Sequence, residues 1–247
     1  MKTLVSFIIL MFASTAVADT ITILNNGKAG GSYNARTQMY KDGLESKGFD
    51  VQYENIGKIS QAVKIFKATE KPTIMVYSSN QVHKQDLYHD ENNFILVEYQ
   101  QPMYICVTNE AAGKKDALTV AHGKGYDTKL LNKILGDDIV LVPYKNSSAI
   151  LKGILGGDVD AMVNNQGKSL KYMQSNKGTC EVSQDLPIMM ATVIGKNLDV
   201  RSFRKILMSV SHDANFTEYR SSRQLERPED TWNNELSMVK GSESSWQ

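Results

Sequence analysis

An α/β protein of two lobes, each a mostly parallel sheet flanked by helices, is predicted by three features of the sequence. Apolar strand-like runs alternate with amphipathic helical patterns from residue 21 onward. The alternation restarts as a second series after Gln100-Gln101-Pro102. No repeat, low-complexity tract or long linker separates the two series, so the lobes should share a hinge.

The first series opens with the apolar run Ile21–Leu24 and the turn-rich stretch Asn25 to Ser32. Tyr33, Arg36, Tyr40, Leu44 and Lys47 recur at helical spacing up to Gly48. Phe49, Val51 and Tyr53 alternate as a strand does, and Ile59, Val63 and Phe66 mark a second helix. Pro72 opens the buried run Thr73–Tyr77. After a polar stretch near residues 80–93, Phe94–Glu98 and Met103–Thr108 are two further apolar runs.

In the second series Leu118–Ala121 reads as a strand, and Leu130, Leu131, Ile134 and Leu135 as a helix. Ile139–Val142 is again strand-like. Ile150, Leu151, Ile154 and Leu155 form a helix stopped by Gly156-Gly157, and Val159–Val163 is the next strand. Ile188–Ile194 is one more strand, followed by helical patterns at Phe203–Val210, Phe216–Leu225 and Trp232–Met238. Crossings near Gln100–Met103 and Leu186–Ala191 assign residues 19–100 with 191–247 to lobe 1, and 101–190 to lobe 2.

Residues 1–18 read as a cleavable secretory leader. Lys2 supplies the positive start, Leu4 to Phe12 the apolar core, and Ala16-Val17-Ala18 the small residues before the cut. The apolar run is too short to span a bilayer core of about 30 Å. Removing it from the 247 residues leaves 229, enough for one large domain or two lobes. Its loss takes one Lys and no acid from 28 basic and 27 acidic residues, so the mature charges are equal. A balanced surface gives no electrostatic reason to expect nucleic acid or an anionic membrane as partner. Cys106 and Cys180 could be bridged in an oxidising compartment, contributing about 4 kcal/mol, or be two separate buried thiols.

Three strand-to-helix loops could carry chemistry, because ligands of open α/β sheets bind beyond the carboxyl ends of strands. The first runs from Asn26 through Gly30, Gly31 and Ser32 to Asn34; its glycines admit a ligand to the backbone, and Ser32 is expected to cap the helix. It matches neither a P-loop nor a dinucleotide fingerprint. The second is His122 to Thr128, with Gly125 and Tyr126, and Asp127 or Thr128 as cap. The third is Pro143 to Ser148, with Tyr144, Asn146 and Ser147 at the helix start. Arg36 is the one arginine near these loops; Lys28, Lys124 and Lys145 are their other cations, which favours a ligand with one or two carboxylates.

The block from Ile139 to Asp160, with its Val-Pro-Tyr strand end, polar turn and Gly-Gly-x-Val-Asp helix end, resembles one family. It is similar to the periplasmic solute-binding receptors of tripartite tricarboxylate transporters, the Bug or TctC type. Ala29-Gly30-Gly31-Ser32, followed after a helix by Val51 to Asn55-Ile56, is a second match. Family members usually carry Asp where this chain has Asn34, and Gly where it has Asn146. The resemblance implies a Venus-flytrap fold closing on a small carboxylate held by loops of both lobes. Gly30, Gly31 and Ser32 would hold one end, and Tyr144, Asn146 and Ser147 the other. Ser78 and Ser79, after the strand Thr73–Tyr77, would add hydroxyls. Delivery to a membrane permease, a periplasmic address, a monomer, no cofactor and no catalysis complete the expectation.

Three other readings stand beside it. A metal- or inorganic-anion-binding receptor of the same fold is one; His83, Asp86, His89, Asp90 and Glu91 could serve a metal, although histidines six apart do not share a helical face. His122 and Asp127 in a cleft could serve a secreted enzyme. An interaction module would use Tyr33, Tyr126 and Tyr144 for packing rather than as pocket walls.

Overall fold

The structure, a computed structural model, describes residues 20–79, 82, 85–87, 93–114, 116–124, 126–186 and 189–225. The leader, Gly125, the histidines His83 and His89 with Asp90 and Glu91, and the Trp232–Met238 pattern lie outside the described residues. Among the described residues, ten strands form two five-stranded sheets. Sheet 1 contains β1 (Thr20–Asn25), β2 (Asp50–Asn55), β3 (Thr73–Ser78), β4 (Asn93–Gln101) and β10 (Met189–Lys196), in the order β2-β1-β3-β10-β4. Sheet 2 contains β5 (Met103–Thr108), β6 (Leu118–Gly123), β7 (Ile139–Tyr144), β8 (Ala161–Asn165) and β9 (Gly178–Val182), in the order β7-β6-β8-β5-β9.

The two sheets share one plan. In sheet 1, β10 runs antiparallel to both β3 and β4, while β1 is parallel to β2 and β3. In sheet 2, β5 runs antiparallel to both β8 and β9, while β6 is parallel to β7 and β8. The single reversed strand in each is the one by which the chain arrives from the other sheet. β4 leaves sheet 1 at Gln101, and β5 begins sheet 2 at Met103. β9 leaves sheet 2 at Val182, and β10 resumes sheet 1 at Met189.

Helices cover both faces of each sheet, as near-continuous apolar strands require. In sheet 1, α1 (Ser32–Glu45) and α6 (Val200–Ser211), with α7 (Ala214–Ser221), bury Ile21, Ile23, Tyr40, Leu44, Leu207 and Phe216 on one side. On the other, α2 (Ile59–Ala68) buries Leu24, Val63, Phe66 and Met75. In sheet 2, α4 (Ser147–Gly156) and α5 (Gln166–Met173) enclose Ala121, Ile150, Ile154, Met162 and Tyr172. α3 (Thr128–Leu135) seals Val120, Leu131 and Val163 on the opposite face. No described helix is long and apolar enough to cross a membrane. α5 and β9 have no counterpart in the sequence-based expectation.

Cys106 and Cys180 are bridged. They are directly opposed residues of β5 and β9, so the bond ties the arriving strand of sheet 2 to the departing one.

Asp160, the last residue of the Ile139–Asp160 block, lies at the opposite end of sheet 2 from the loops. Its carboxylate accepts the Thr119 N–H at 3.0 Å and the Thr119 hydroxyl at 2.8 Å, and pairs with Lys114. It thereby joins the starts of β6 and β8. The bond from Lys114, then that from the Thr119 backbone, holds its pKa at about 2, below the ordinary 3.8. A depressed carboxylate pKa stabilises the fold fully above the ordinary value and loses that contribution as pH falls towards the folded one. Asp160→Asn is expected to lower unfolding free energy by about 1–2 kcal/mol at neutral pH. The deficit relative to the parent should shrink between pH 4 and pH 2 in urea titrations; a pH-independent deficit would assign the loss to packing.

Candidate ligand-binding site

Because β4 departs at its C-terminal end towards sheet 2, the other parallel strands of sheet 1 also point their C-terminal ends that way. β9 departs likewise, so β6, β7 and β8 point theirs back. The loops after β1 and β3 therefore face those after β6, β7 and β8, which is where ligands of α/β sheets bind.

On the sheet 1 side, Asn25 and Asn26 build the loop from inside. Asn25 accepts the Gly27 N–H at 2.9 Å and donates to the Asn55 side chain at 3.2 Å. Asn26 donates to the Val76 carbonyl at 3.0 Å, tying β1 to β3. Gly30 has φ +74°, a backbone region that favours glycine, and this turns Gly31 into the N-cap of α1. Ser32 is thus the first residue of the helix, not its cap as expected, because the Gly31 carbonyl already receives the Ala35 N–H at 3.0 Å. Among the described residues no side chain caps α1. Its first-turn amides, with the positive end of the helix dipole, are left to face the loop. Gly30 and Ser32 are exposed and Gly31 half-buried.

Asn34 is turned aside, donating to the Tyr53 hydroxyl at 3.3 Å. Ser78 shares a 2.8 Å hydrogen bond with the Tyr33 hydroxyl, and Tyr33 stacks on Tyr77 with centroids 6.2 Å apart. Burial pushes the Tyr33 and Tyr77 phenols up, so both stay neutral. Ser79 is buried and accepts the Met190 N–H at 3.2 Å, which joins the end of β3 to the start of β10.

The sheet 2 helices are capped by their own side chains. Asp127 accepts from Lys129 N at 2.8 Å at α3, and Asn146 from Ala149 N at 2.9 Å at α4. Asn165 accepts from Lys168 N at 3.2 Å at α5. His122 is buried, with Nδ1 donating to the Gly123 carbonyl at 3.0 Å. His122 and Asp127 are thus each engaged by backbone. Tyr126 donates to the Met103 sulfur at 3.3 Å, and burial raises its pKa. Tyr144 packs its hydroxyl end against α4: a Cβ on Gly153 would come 2.6 Å from the hydroxyl oxygen, so any larger residue there would displace the ring.

The structure adds residues missed in the sequence. Asn164 donates to the Ser147 carbonyl at 3.0 Å and Asn165 to the Ser147 hydroxyl at 3.3 Å, locking the loops after β7 and β8 together. The signal was present as an Asn pair ending an apolar run, a preferred N-cap residue at a strand's end. Lys168, in the first turn of α5, is half-buried and has no carboxylate within ion-pair distance among the described residues. Burial, with repulsion from Lys171, lowers its pKa. Arg36 is withdrawn from any ligand: it is 1% exposed and paired with Glu98. Among the described residues no His, Cys, Asp and Glu cluster could hold a metal ion. An open groove of about 640 Å³, lined by Ile105, Val107, Ile134 and Val182, lies away from these loops on the α3 face.

No protein-family model matches the chain, and no curated protein matches its sequence. Solved structures match its fold. MatC from Rhodopseudomonas palustris with bound malate gives a TM-score of 0.66 at 12% identity, over 93% of this chain and 98% of that one. A second R. palustris protein, solved with adipate, gives 0.67 at 14% identity over 94% and 96%. The periplasmic binding protein BugD gives 0.64 at 15% identity over 92% and 95%. The fold is therefore the two-lobed one of periplasmic binding proteins. Within that class the chain is similar in fold to the solute-binding proteins of Bug and TctC type.

Ser147→Ala removes the acceptor of the Asn165 amide but leaves Asn146 to cap α4. Unfolding free energy is expected to fall by about 0.5–1 kcal/mol in urea. A loss several times larger would make Ser147 a principal support of lobe 2.

Proposed function

We propose that the chain is a periplasmic solute receptor of the Bug and TctC type that holds a small organic carboxylate between its two lobes. In this reading lobe 1 is sheet 1 with its helices and lobe 2 is sheet 2 with its helices, the chain crossing between Gln101 and Met103 and between Val182 and Met189. The observation that carries the reading is the uncapped start of α1 at Gly31, beside the exposed loop Lys28 to Gly30. A carboxylate there would accept first-turn amides that no side chain serves, and charge-assisted bonds of this kind contribute about 1.5–3 kcal/mol each. The facing lobe would supply Ser147, Asn146 and the ammonium of Lys168, with Tyr33 and Ser78 forming the wall nearest α1. The fold shared with structures holding malate and adipate supports the same ligand class. The leader at residues 1–18 and delivery to a membrane permease complete the role, as a monomeric carrier without cofactor or catalysis.

A thermal-shift panel of mono-, di- and tricarboxylates, amino acids and inorganic anions tests the class. A cognate carboxylate at a hundred times its Kd should add about 2.7 kcal/mol, roughly 5–10 °C for a chain of this size. Stabilisation only by inorganic anions, or by none of the panel, would overturn it.

Gly31→Asp tests the subsite directly. Gly31 has φ −82° and ψ 160°, which any residue adopts, although a Cβ would lie 3.0 Å from the Lys28 carbonyl. The new carboxylate would cap α1 from within, changing ligand-free stability by at most about 0.5 kcal/mol. Carboxylate affinity, measured by titration calorimetry, should fall at least tenfold. Undiminished affinity would remove the α1 terminus from the site.

A further inference from the structure

β4 and β10 are the two strands of sheet 1 that continue towards sheet 2, and their pairing slips just before the crossing. Ala191 pairs with Tyr99 and Thr192 with Val97, so Glu98 has no partner. Such a bulge sets two residues against one and re-aims their side chains. Consecutive residues Glu98 and Tyr99 both reach Arg36 of α1 here. Glu98 forms the ion pair, and the Tyr99 ring centroid lies 5.7 Å from the Arg36 guanidinium carbon.

Arg36 gathers four elements at one point. Its Nη2 donates to Glu98 of β4 and, at 2.7 Å, to the Thr192 carbonyl of β10. Its Nη1 donates to the Tyr77 carbonyl of β3 at 3.3 Å. Its carbon also lies 5.7 Å from the ring centroid of Tyr33, in the first turn of α1. Arg36 and Glu98 are 1% and 0% exposed, and Glu98 Oε1 has no hydrogen-bond partner among the described residues. A buried pair this incompletely satisfied is poor value for stability, since apolar residues of similar volume often serve as well. Its placement explains it better than its energy does.

We propose that the Arg36–Glu98 pair couples the ligand-receiving start of α1 to the crossing strands, so that contact at α1 and closure of the lobes move together. The proposal rests on the carboxylate-receptor reading. Both are positioning residues, since neither has surface through which to touch a ligand. The bulge aims Glu98, Glu98 and Thr192 hold Arg36, and Arg36 holds the helix whose first turn faces the cleft.

The test uses Glu98→Gln, the apolar double variant Arg36→Met/Glu98→Met, and Asp160→Asn as a control that breaks an ion pair far from the crossing. Malate and adipate are the probes, by titration calorimetry, and ligand-free hydrogen exchange is the second readout. Both hinge variants should bind the better probe at least tenfold more weakly, with Asp160→Asn within twofold of the parent. In the ligand-free protein, amides of residues 32–36, 97–101 and 190–193 should exchange at least fivefold faster together, with lobe 2 unchanged. If Glu98→Gln does not fold, the double variant carries the test. Parent-like affinity in the folded double variant, or faster exchange confined to β4, would overturn the coupling. If neither probe binds the parent, these two dicarboxylates are not its ligands, the carboxylate class is decided by the thermal-shift panel, and the exchange pattern alone decides the coupling.

Discussion

β5 and β10 each enter a sheet whose four other strands run the opposite way, and this arrangement constrains the rest of the molecule. The chain leaves one sheet at the C-terminal ends of its parallel strands and meets the next sheet at the matching end. Its first strand there must run away from the crossing, against its neighbours. The parallel strands then end facing one another from the two sides, and the helices that follow them start there. Pro102, which lacks an amide donor, stands between β4 and β5, where the chain passes from one ladder to the other.

Helix starts placed at a cleft raise an electrostatic question, because each presents amides that need acceptors. Lobe 2 answers it internally through Asp127, Asn146 and Asn165. α1 does not, and α2, beginning after Lys58 beside the edge strand β2, also lacks a side-chain cap. Of the two, only α1 follows a central strand, since β1 lies inside sheet 1 and β2 at its edge. Charge balance over the whole chain makes such local asymmetry the means by which an anion could be favoured. Arg36 does not supply it, since Glu98 neutralises the guanidinium.

Most of the fold was legible because apolar periodicity reports burial, and the inner strands β1 and β3 are buried on both faces. Ile21–Leu24, Thr73–Tyr77 and the helix stop at Gly156-Gly157 appear where expected, with Gly157 in the left-handed region ending α4. α5 escaped notice because it buries Gln166 and Ser169, polar residues that leave no apolar stripe. β9 escaped because an edge strand reading Gly-Thr-Cys-Glu-Val has little to alternate. In the candidate site the three loops were visible from their glycines and polar caps. Which residues were already engaged was not. Ser32 against Gly31 as cap turns on the local backbone at Gly30, while Asn34 on Tyr53 and Tyr144 on Gly153 depend on contacts between separate elements. The bulge was hidden for the same reason: Leu96 and Glu98 alternate normally, and the extra residue appears only in pairing with β10.

The two lobes secure their departing and arriving strands by different means. In lobe 2 a disulfide joins β9 to β5 directly and involves no helix, so that strand pair is bound within its own sheet. In lobe 1 the corresponding strands, β4 and β10, are joined through Arg36, and the joint therefore includes α1. A covalent bond within a sheet favours a lobe that moves as one body. An ion pair between a sheet and a helix makes the helix's position depend on the strands beneath it. The lobe with the uncapped helix is also the one whose crossing strands are tied to that helix. This pairing gives the buried charges a place in ligand recognition that their contribution to stability alone would not require.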